Sequence, residues 1–118
     1  MNEENTKIMI SDFPTLYRKD FNFYLSDGWF GIVYRLSQKI VLAGYTGKVV
    51  QVKEKFGTLR YYTQDENREN IVELIEDAIE ESAITCETCG EPGKIYDQGW
   101  VHVKCEKCEE KYQSEIKD

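Results

Sequence analysis

The sequence lacks several features that would point directly to a function. No apolar run approaches the ~18 residues that a membrane-spanning helix requires, so we expect no association with a membrane. The opening residues MNEENTKIMI carry acids but neither a basic segment nor a long apolar core, and we expect no signal peptide there. No glycine-rich phosphate loop and no nucleophile motif is present, and the chain has one histidine. These features predict a cytoplasmic protein that is not an enzyme.

Basic residues are also few. Against 22 Asp and Glu the chain has 15 Lys and Arg, which gives a net charge of −7. A protein that binds duplex DNA gains much of its affinity by neutralising phosphates, so this balance argues against general duplex binding but leaves room for a local basic patch. The apolar fraction of 41% is that of ordinary globular proteins, which argues against wholesale disorder.

Four cysteines near the C-terminus have the spacing C-x2-C-x15-C-x2-C, and they are Cys86, Cys89, Cys105 and Cys108. Thiols in the cytoplasm stay reduced, so this pattern indicates a metal site rather than disulfides. Four thiolates fill the tetrahedral shell of zinc and leave no position for water, so we predict one structural zinc ion. We expect His102 to be an ordinary hairpin residue, with metal ligation as its alternative role. An iron–sulfur cluster or two redox pairs are alternative uses of the cysteines.

The residues around the cysteines predict a small module over residues 85–118. A hairpin fits between the two cysteine pairs, with strands at 94–96 and 100–103 and a turn at 97–99. Gly90 relieves the tight backbone after the second cysteine, and a helix can follow the last pair. This arrangement resembles a zinc ribbon or a treble-clef finger.

Residues 1–84 predict an α+β core that contains a helix, a β-hairpin and a second helix. Apolar residues recur with helical spacing over 28–43 and 65–83, and each set forms one buried stripe. The stripes are Trp29, Ile32, Val33, Leu36 and Ile40 in the first helix, and Ile71, Leu74, Ile75, Ala78 and Ile79 in the second.

Shorter features surround these two helices. The first few residues are polar and are expected to fray, whereas residues 13–19 are expected to form a short helix. Thr63 and Glu66 fit a capping box at the start of the second helix, and Asp65 is a rival cap. Alternating apolar residues predict a short extended segment at Phe21, Phe23 and Leu25.

Residues 49–63, VVQVKEKFGTLRYYT, predict the β-hairpin. Alternation favours strands at 49–54 and 59–63, joined by a four-residue loop at 55–58 that is built on a type I turn. This register places one apolar set on one face, namely Val50, Val52, Leu59 and Tyr61. The other face then carries Gln51, Lys53, Arg60 and Tyr62.

The hairpin also gathers bases and aromatics in an acidic chain. The candidate ligand-binding residues are Lys53, Lys55, Arg60, Tyr62, Phe56 and Trp29. In this interpretation the cations hold phosphates or other anions while an aromatic ring stacks on a base. The structural alternative is that the lysines protect an exposed strand from edge pairing, that Arg60 pairs with Glu54 or with an acid of the second helix, and that Trp29 is a buried anchor.

Four segments together resemble a family of functionally unassigned small proteins encoded by bacteria and by phages or prophages. The segments are DGWF (27–30), VKEKFGTLRYY (52–62), TCETCGEPG (85–93) and GW (99–100). The resemblance covers residues 13–108. It implies the order helix, hairpin, acidic helix and cysteine module, and it implies a mobile-element context without implying an activity.

These observations predict a small, non-enzymatic zinc-binding interaction protein that acts by binding a host or phage protein. The acidic second helix is then either a solvated face or a docking surface for a basic partner. The alternative is a protein that binds a nucleotide or single-stranded nucleic acid through the hairpin at 49–63. The sequence leaves the oligomeric state open.

Overall fold

A computed structural model describes residues 1–64 and 68–116. It confirms the α+β class, with four helices, a three-stranded sheet and a two-stranded sheet among the described residues. The elements are α1 (Glu3–Asp12), β1 (Phe23–Tyr24), α2 (Phe30–Leu42), β2 (Val49–Lys55), β3 (Thr58–Thr63), α3 (Val72–Ser82), β4 (Lys94–Tyr96), β5 (His102–Lys104) and α4 (Glu106–Ile116). No helix within the described ranges has the length and apolar content needed to cross a membrane.

The core forms where the predicted apolar stripe of α2 meets the sheet and α3. All five residues of that stripe are buried, and Gly44 follows the end of the helix with a φ of +82°, a conformation that favours glycine. A short 3-10 turn, Asp27–Trp29, leads into α2. A second 3-10 turn, Arg68–Asn70, precedes α3.

The stripe of α3 is less deeply buried than the periodicity predicts. Ile71, Ile75 and Ala78 are buried, whereas Leu74 and Ile79 are half-buried against the core. The predicted caps Asp65 and Glu66 lie outside the described residues.

The N-terminal prediction is wrong, because residues 3–12 form helix α1 instead of fraying. Asn2 caps this helix by accepting a hydrogen bond from the Asn5 N–H at 2.7 Å, and the Asn2 N–H donates to Asp27 Oδ1 at 2.8 Å. Met9 is fully buried against the core. Met9, the partly buried Ile10 and a cap bonded to a distant loop hold this helix, and they do not produce a strong periodic pattern.

The short helix predicted at residues 13–19 is a single turn. The N–H groups of Leu16 and Tyr17 both donate to Phe13 O, at 3.0 and 3.1 Å, so the turn begins as a helix would. The Leu16 carbonyl then accepts from the Val49 N–H at 2.9 Å, which ties the segment to β2. This bond to the sheet takes the acceptor that a continuing helix would need.

The main sheet has the strand order β1-β2-β3, with β1 parallel and β3 antiparallel to β2. The predicted pairing of Glu54 with Leu59 is confirmed. The predicted four-residue loop is wrong, because Lys55 also pairs with Thr58. The two remaining turn residues, Phe56 and Gly57, have φ values of +54° and +77°, as a type I′ turn requires.

One predicted core residue of the hairpin, Val50, is 60% exposed, whereas its neighbour Val49 is 2% exposed. The strand register shifts between Val49 and Gln51, which is a β-bulge. The extra residue turns Val50 outward and brings Val49 into the core in its place. The other residues of the hairpin keep the faces that the alternation predicts.

Candidate metal centre

The first cysteine pair lies in a tight turn that follows α3. The Cys86 N–H donates to Glu91 O at 2.7 Å, and the Gly90 N–H donates to Cys86 O at 2.9 Å. Gly90 has a φ of +84°, which is the strained position that the sequence indicates for it. This backbone path returns the Cys89 side chain towards that of Cys86.

The second cysteine pair lies at the start of α4. Cys105 immediately precedes the helix and Cys108 is in its first turn, where the Cys108 N–H donates to Cys105 Sγ at 3.4 Å. The hairpin of β4 and β5 joins the two pairs, and β4 has the predicted bounds while β5 begins later than predicted, at His102. In this module a cysteine turn, a hairpin without cysteines and a helix that begins at the second cysteine pair follow one another, an order that resembles a treble-clef finger.

The four sulfur atoms converge on one point. All four Sγ atoms lie within 4.8 Å of one another, and Cys89 Sγ lies 3.7 Å from Cys105 Sγ. Tetrahedral zinc with Zn–S bonds of about 2.3 Å places its sulfur ligands about 3.8 Å apart. The four cysteines are therefore positioned to hold one metal ion. Elsewhere in residues 1–64 and 68–116, no further group of three or more His, Cys, Asp or Glu side chains is positioned to do so.

His102 is engaged elsewhere and is not needed to complete the ligand set. Its Nδ1 lies 2.8 Å from Trp100 O, and its Nε2 lies 2.6 Å from Glu109 Oε1. The ring is 2% exposed and stacks on Tyr96, with centroids 5.5 Å apart. His102 therefore lies in the hairpin, as predicted, and stabilises it against α4.

The thiols differ in acidity before a metal binds. Burial raises the pKa of Cys86, but hydrogen bonds from the backbone N–H groups of Cys105, Cys89 and Thr88 outweigh this effect. The pKa of Cys86 is lowered to about 6 as a result. Burial, followed by hydrogen bonds with the other three thiols, raises the pKa of Cys108 to about 12. Cys86 thus forms a thiolate readily at neutral pH, whereas the proton of Cys108 leaves when a metal replaces it.

Metal affinity should therefore fall as the pH falls. Because the metal competes with protons for the same sulfur atoms, we expect at least two protons, those of Cys89 and Cys108, to be released per metal bound near pH 7.5. Chelator competition in weakly buffered solution, with released protons measured by a pH indicator, checks this number. Affinity that is independent of pH between about 6 and 8 would contradict thiolate ligation.

The cysteine module, residues 85–116 of the described chain, contacts the core through backbone groups. The Gly28 N–H donates to Glu87 O at 2.8 Å, and Trp29 Nε1 donates to Thr85 O at 2.9 Å. Val103 of β5 is fully buried in the main core cluster. The beginning of α2 and the first cysteine turn are thus joined, although the division of the chain into units at 1–84 and 85–118 stays a prediction.

Glu87 supports this junction from inside the module. Its carboxylate accepts the Val103 N–H at 2.9 Å, and the residue is 4% exposed. Burial raises the pKa of Glu87; the Val103 N–H lowers it in part, and the nearby Glu54 raises it further. Nothing in the cysteine spacing signals this residue, because its partners come from distant parts of the chain.

The five candidate ligand-binding residues of the hairpin fall into two places. Lys53, Arg60 and Tyr62 lie on the outer face of the sheet, opposite Val52 and Tyr61. The other two hairpin candidates are at its end, where Lys55 Nζ lies 5.8 Å from the ring centroid of the 67% exposed Phe56.

Trp29 is fully buried, so it is an anchor of the core and offers no face to a ligand. The predicted ion pair of Arg60 with Glu54 is not formed. The Glu54 carboxylate accepts the Gly57 N–H at 2.8 Å instead, and it lies on the other face of the hairpin. Arg60 Nε is buried and has no hydrogen-bond partner in the part of the chain that the structure describes.

Comparisons of this chain with protein-family models, with curated proteins and with solved structures found no match. The resemblance to the small bacterial and phage proteins therefore stays a prediction.

Proposed function

We propose that this protein is a small, non-enzymatic interaction protein that carries one structural zinc ion and binds another protein. Zinc suits the cysteine site because four sulfur ligands at tetrahedral spacing fill its coordination shell and leave no position for a reacting water. The convergence of the sulfurs on one point favours a single ion over a cluster of several irons. We also infer a cytoplasmic location, because thiols stay reduced there and remain able to hold a metal.

A cleft in the cysteine module supports the protein partner, and this observation carries the proposal. The cleft has a volume of ≈ 580 Å³ and lies between the β4–β5 turn and α4. Three large apolar side chains on its walls are exposed: Ile95 by 54%, Trp100 by 47% and Ile116 by 56%. We call these three residues and Tyr112 the module cleft. Apolar and aromatic groups that open into one concavity are typical of protein-binding sites.

The end of the β2–β3 hairpin extends this apolar surface. A β-carbon at Gly57 would lie 3.3 Å from Ile95 Cδ1 and 3.4 Å from Val101 Cγ1, so the turn packs against the module. Phe56 immediately precedes Gly57 in the same turn and is 67% exposed. The partner surface would then be formed by both the hairpin turn and the module.

The acidic balance of the whole chain favours a basic partner. The net charge is −7, and helix α4, which forms one wall of the module cleft, exposes Glu106, Glu110 and Glu115 against Lys107 and Lys111. A partner that inserts an apolar side chain and presents bases around it complements this surface. The resemblance to phage and prophage proteins supports a host or phage protein as that partner.

Affinity capture tests the proposed function. The wild type, the double variant Ile95→Ser/Ile116→Ser and the control Leu42→Ser, which changes an 86% exposed apolar residue on α2, are immobilised and exposed to bacterial lysate. We expect one protein to be retained by the wild type and the control, to be lost from the double variant, and to bind directly when purified. The proposal is contradicted if all three immobilised proteins retain the same partner, or if none of them retains one.

A further inference from the structure

The outer face of the main sheet presents aromatic and basic side chains in register across three strands. Tyr24 of β1 pairs with Lys53 of β2, and Lys53 pairs with Arg60 of β3. In the next row Gln51 pairs with Tyr62. Tyr24 is 62% exposed and Tyr62 is 44% exposed, so this face is open to solvent. We call these five residues the outer face.

Among the residues that the structure describes, the charges on the outer face have no partner of opposite sign. Lys53 and Arg60 lie directly opposite each other, and like charges in this position destabilise a sheet. Neither side chain forms an ion pair with any residue in the described ranges. Arg60 Nε is buried without an acceptor there, and a buried donor without a partner costs free energy. An anion bound between the two side chains would offset the repulsion between their charges.

Two concavities flank the outer face and continue its basic character. One has a volume of ≈ 330 Å³ and borders β1, where Arg18 and Lys48 join Tyr24 and Gln51. Lys48 Nζ donates to Thr15 O at 2.9 Å, a neutral acceptor that leaves its charge uncompensated. Asp20 is the acid that lines this concavity.

The second concavity has a volume of ≈ 260 Å³ and lies between β3 and α3. Arg60, Tyr62 and Arg68 line it together with one acid, Glu76. Five of the 15 Lys and Arg residues therefore lie on or beside the outer face. They are Lys53 and Arg60 on the outer face, Lys55 at the end of β2, and Arg18 and Lys48 in the first concavity. A local positive surface persists in a net-negative chain because exposed charges are screened beyond about 8–10 Å.

We propose that the outer face binds single-stranded nucleic acid. Nucleotide bases stack on Tyr24 and Tyr62, while Lys53, Arg60 and Arg18 contact the phosphates. Aromatic rings and cations that alternate on an open sheet suit unstacked bases joined by a charged backbone. A duplex hides its bases, and the acids elsewhere on this chain repel its denser phosphates, so the single strand is favoured. The site spans three strands, which favours an oligonucleotide over a mononucleotide.

This inference goes beyond the proposed function and uses a different surface. The module cleft lies on β4, β5 and α4, whereas the outer face lies on β1, β2 and β3. A variant of one surface should therefore leave binding at the other unchanged, and each proposal can fail without the other.

Fluorescence anisotropy with labelled oligo-dT and oligo-U of about 12 nucleotides tests the inference. We expect binding that weakens steeply between about 50 and 200 mM salt. The double variant Lys53→Ala/Arg60→Ala should bind about tenfold more weakly, and its salt slope should fall by about 1.4, because about 0.7 is lost per phosphate contact on a single strand. Tyr24→Ala should weaken binding about tenfold by removing a stacking surface.

Two matched controls complete the experiment. Lys39→Ala/Lys111→Ala removes the same charge from exposed positions on α2 and α4, and the module-cleft variant Ile95→Ser/Ile116→Ser changes no outer-face residue. Both should bind with wild-type affinity. Ultraviolet crosslinking of the wild-type protein should place the oligonucleotide on β1 or β3, a result that needs no variant to fold. The inference is overturned by absence of binding at low salt, by equal affinity for a mononucleotide or a duplex, by an unchanged Lys53→Ala/Arg60→Ala variant, or by crosslinks confined to the module.

Discussion

Replacing Cys86 by serine should abolish stoichiometric zinc binding and unfold the cysteine module. The change removes one of four sulfur ligands from a small module in which metal binding supplies about 10–16 kcal/mol of apparent free energy. Hairpin β4–β5 and helix α4 are too short to persist without that closure. Metal analysis should find less than one zinc per chain, and hydrogen exchange should show lost protection over residues 85–116. Gln98→Ser, in the exposed β4–β5 turn, is the control and should keep both.

The same exchange experiment tests the predicted division of the chain. If residues 1–84 fold as their own unit, their protection should persist in Cys86→Ser, with losses limited to the groups that contact the module. Trp29 would lose Thr85 O as acceptor, and Gly28 would lose Glu87 O. Loss of protection throughout the chain would show one cooperative unit instead. Zinc bound at full stoichiometry in Cys86→Ser would contradict the ligand assignment itself.

Replacing Gly28 by alanine should destabilise the protein by about 3 kcal/mol, because overpacking against rigid groups costs about this much. A β-carbon there would lie 2.5 Å from Glu87 O and closer still to Cys86 O. Both neighbours are backbone atoms of the first cysteine turn, so they cannot rotate away as a side chain could. The module must move from the beginning of α2 or the 3-10 turn must deform. Urea unfolding of the zinc-loaded wild type and variant measures the difference in their free energies of unfolding.

Gly31→Ala is the matched control for that variant. A β-carbon at Gly31 would meet only Arg35 Nη1, at 3.1 Å, which is the far end of a flexible side chain. Gly31 lies inside α2, where alanine favours the helix by about 1 kcal/mol over glycine. We expect this variant to be as stable as the wild type or more stable. An equal loss of unfolding free energy in both variants would show that the close approach of Gly28 to the module has no specific effect on stability.

The features that the sequence predicted best are those set by residues close together in the chain. The C-x2-C pairs place two thiols on one turn whatever the rest of the fold does, so the four-cysteine cluster could be found without a structure. The stripe of α2 was equally accessible because a helix buried along one face must repeat its apolar residues. The hairpin register followed from alternation for the same reason.

Features that depend on distant contacts were missed. Helix α1 relies on Asp27 and on the burial of Met9, and β1 pairs in parallel with β2 through residues far along the chain. The bulge at Val50 shifts one residue without changing the composition of the strand. Phe56 adopts a positive φ that is uncommon outside glycine, so the two-residue turn had no strong sequence signal.

X-ray absorption at the zinc edge of the purified protein, together with metal analysis, tests most directly the claim that four cysteines hold one structural zinc ion. The account predicts one zinc per chain with four sulfur neighbours at about 2.3 Å and no nitrogen or oxygen ligand. A nitrogen neighbour would show that His102 takes the place of one cysteine as ligand, and this result would contradict the account. Iron in place of zinc, or disulfides among the cysteines of freshly purified protein, would contradict it as well.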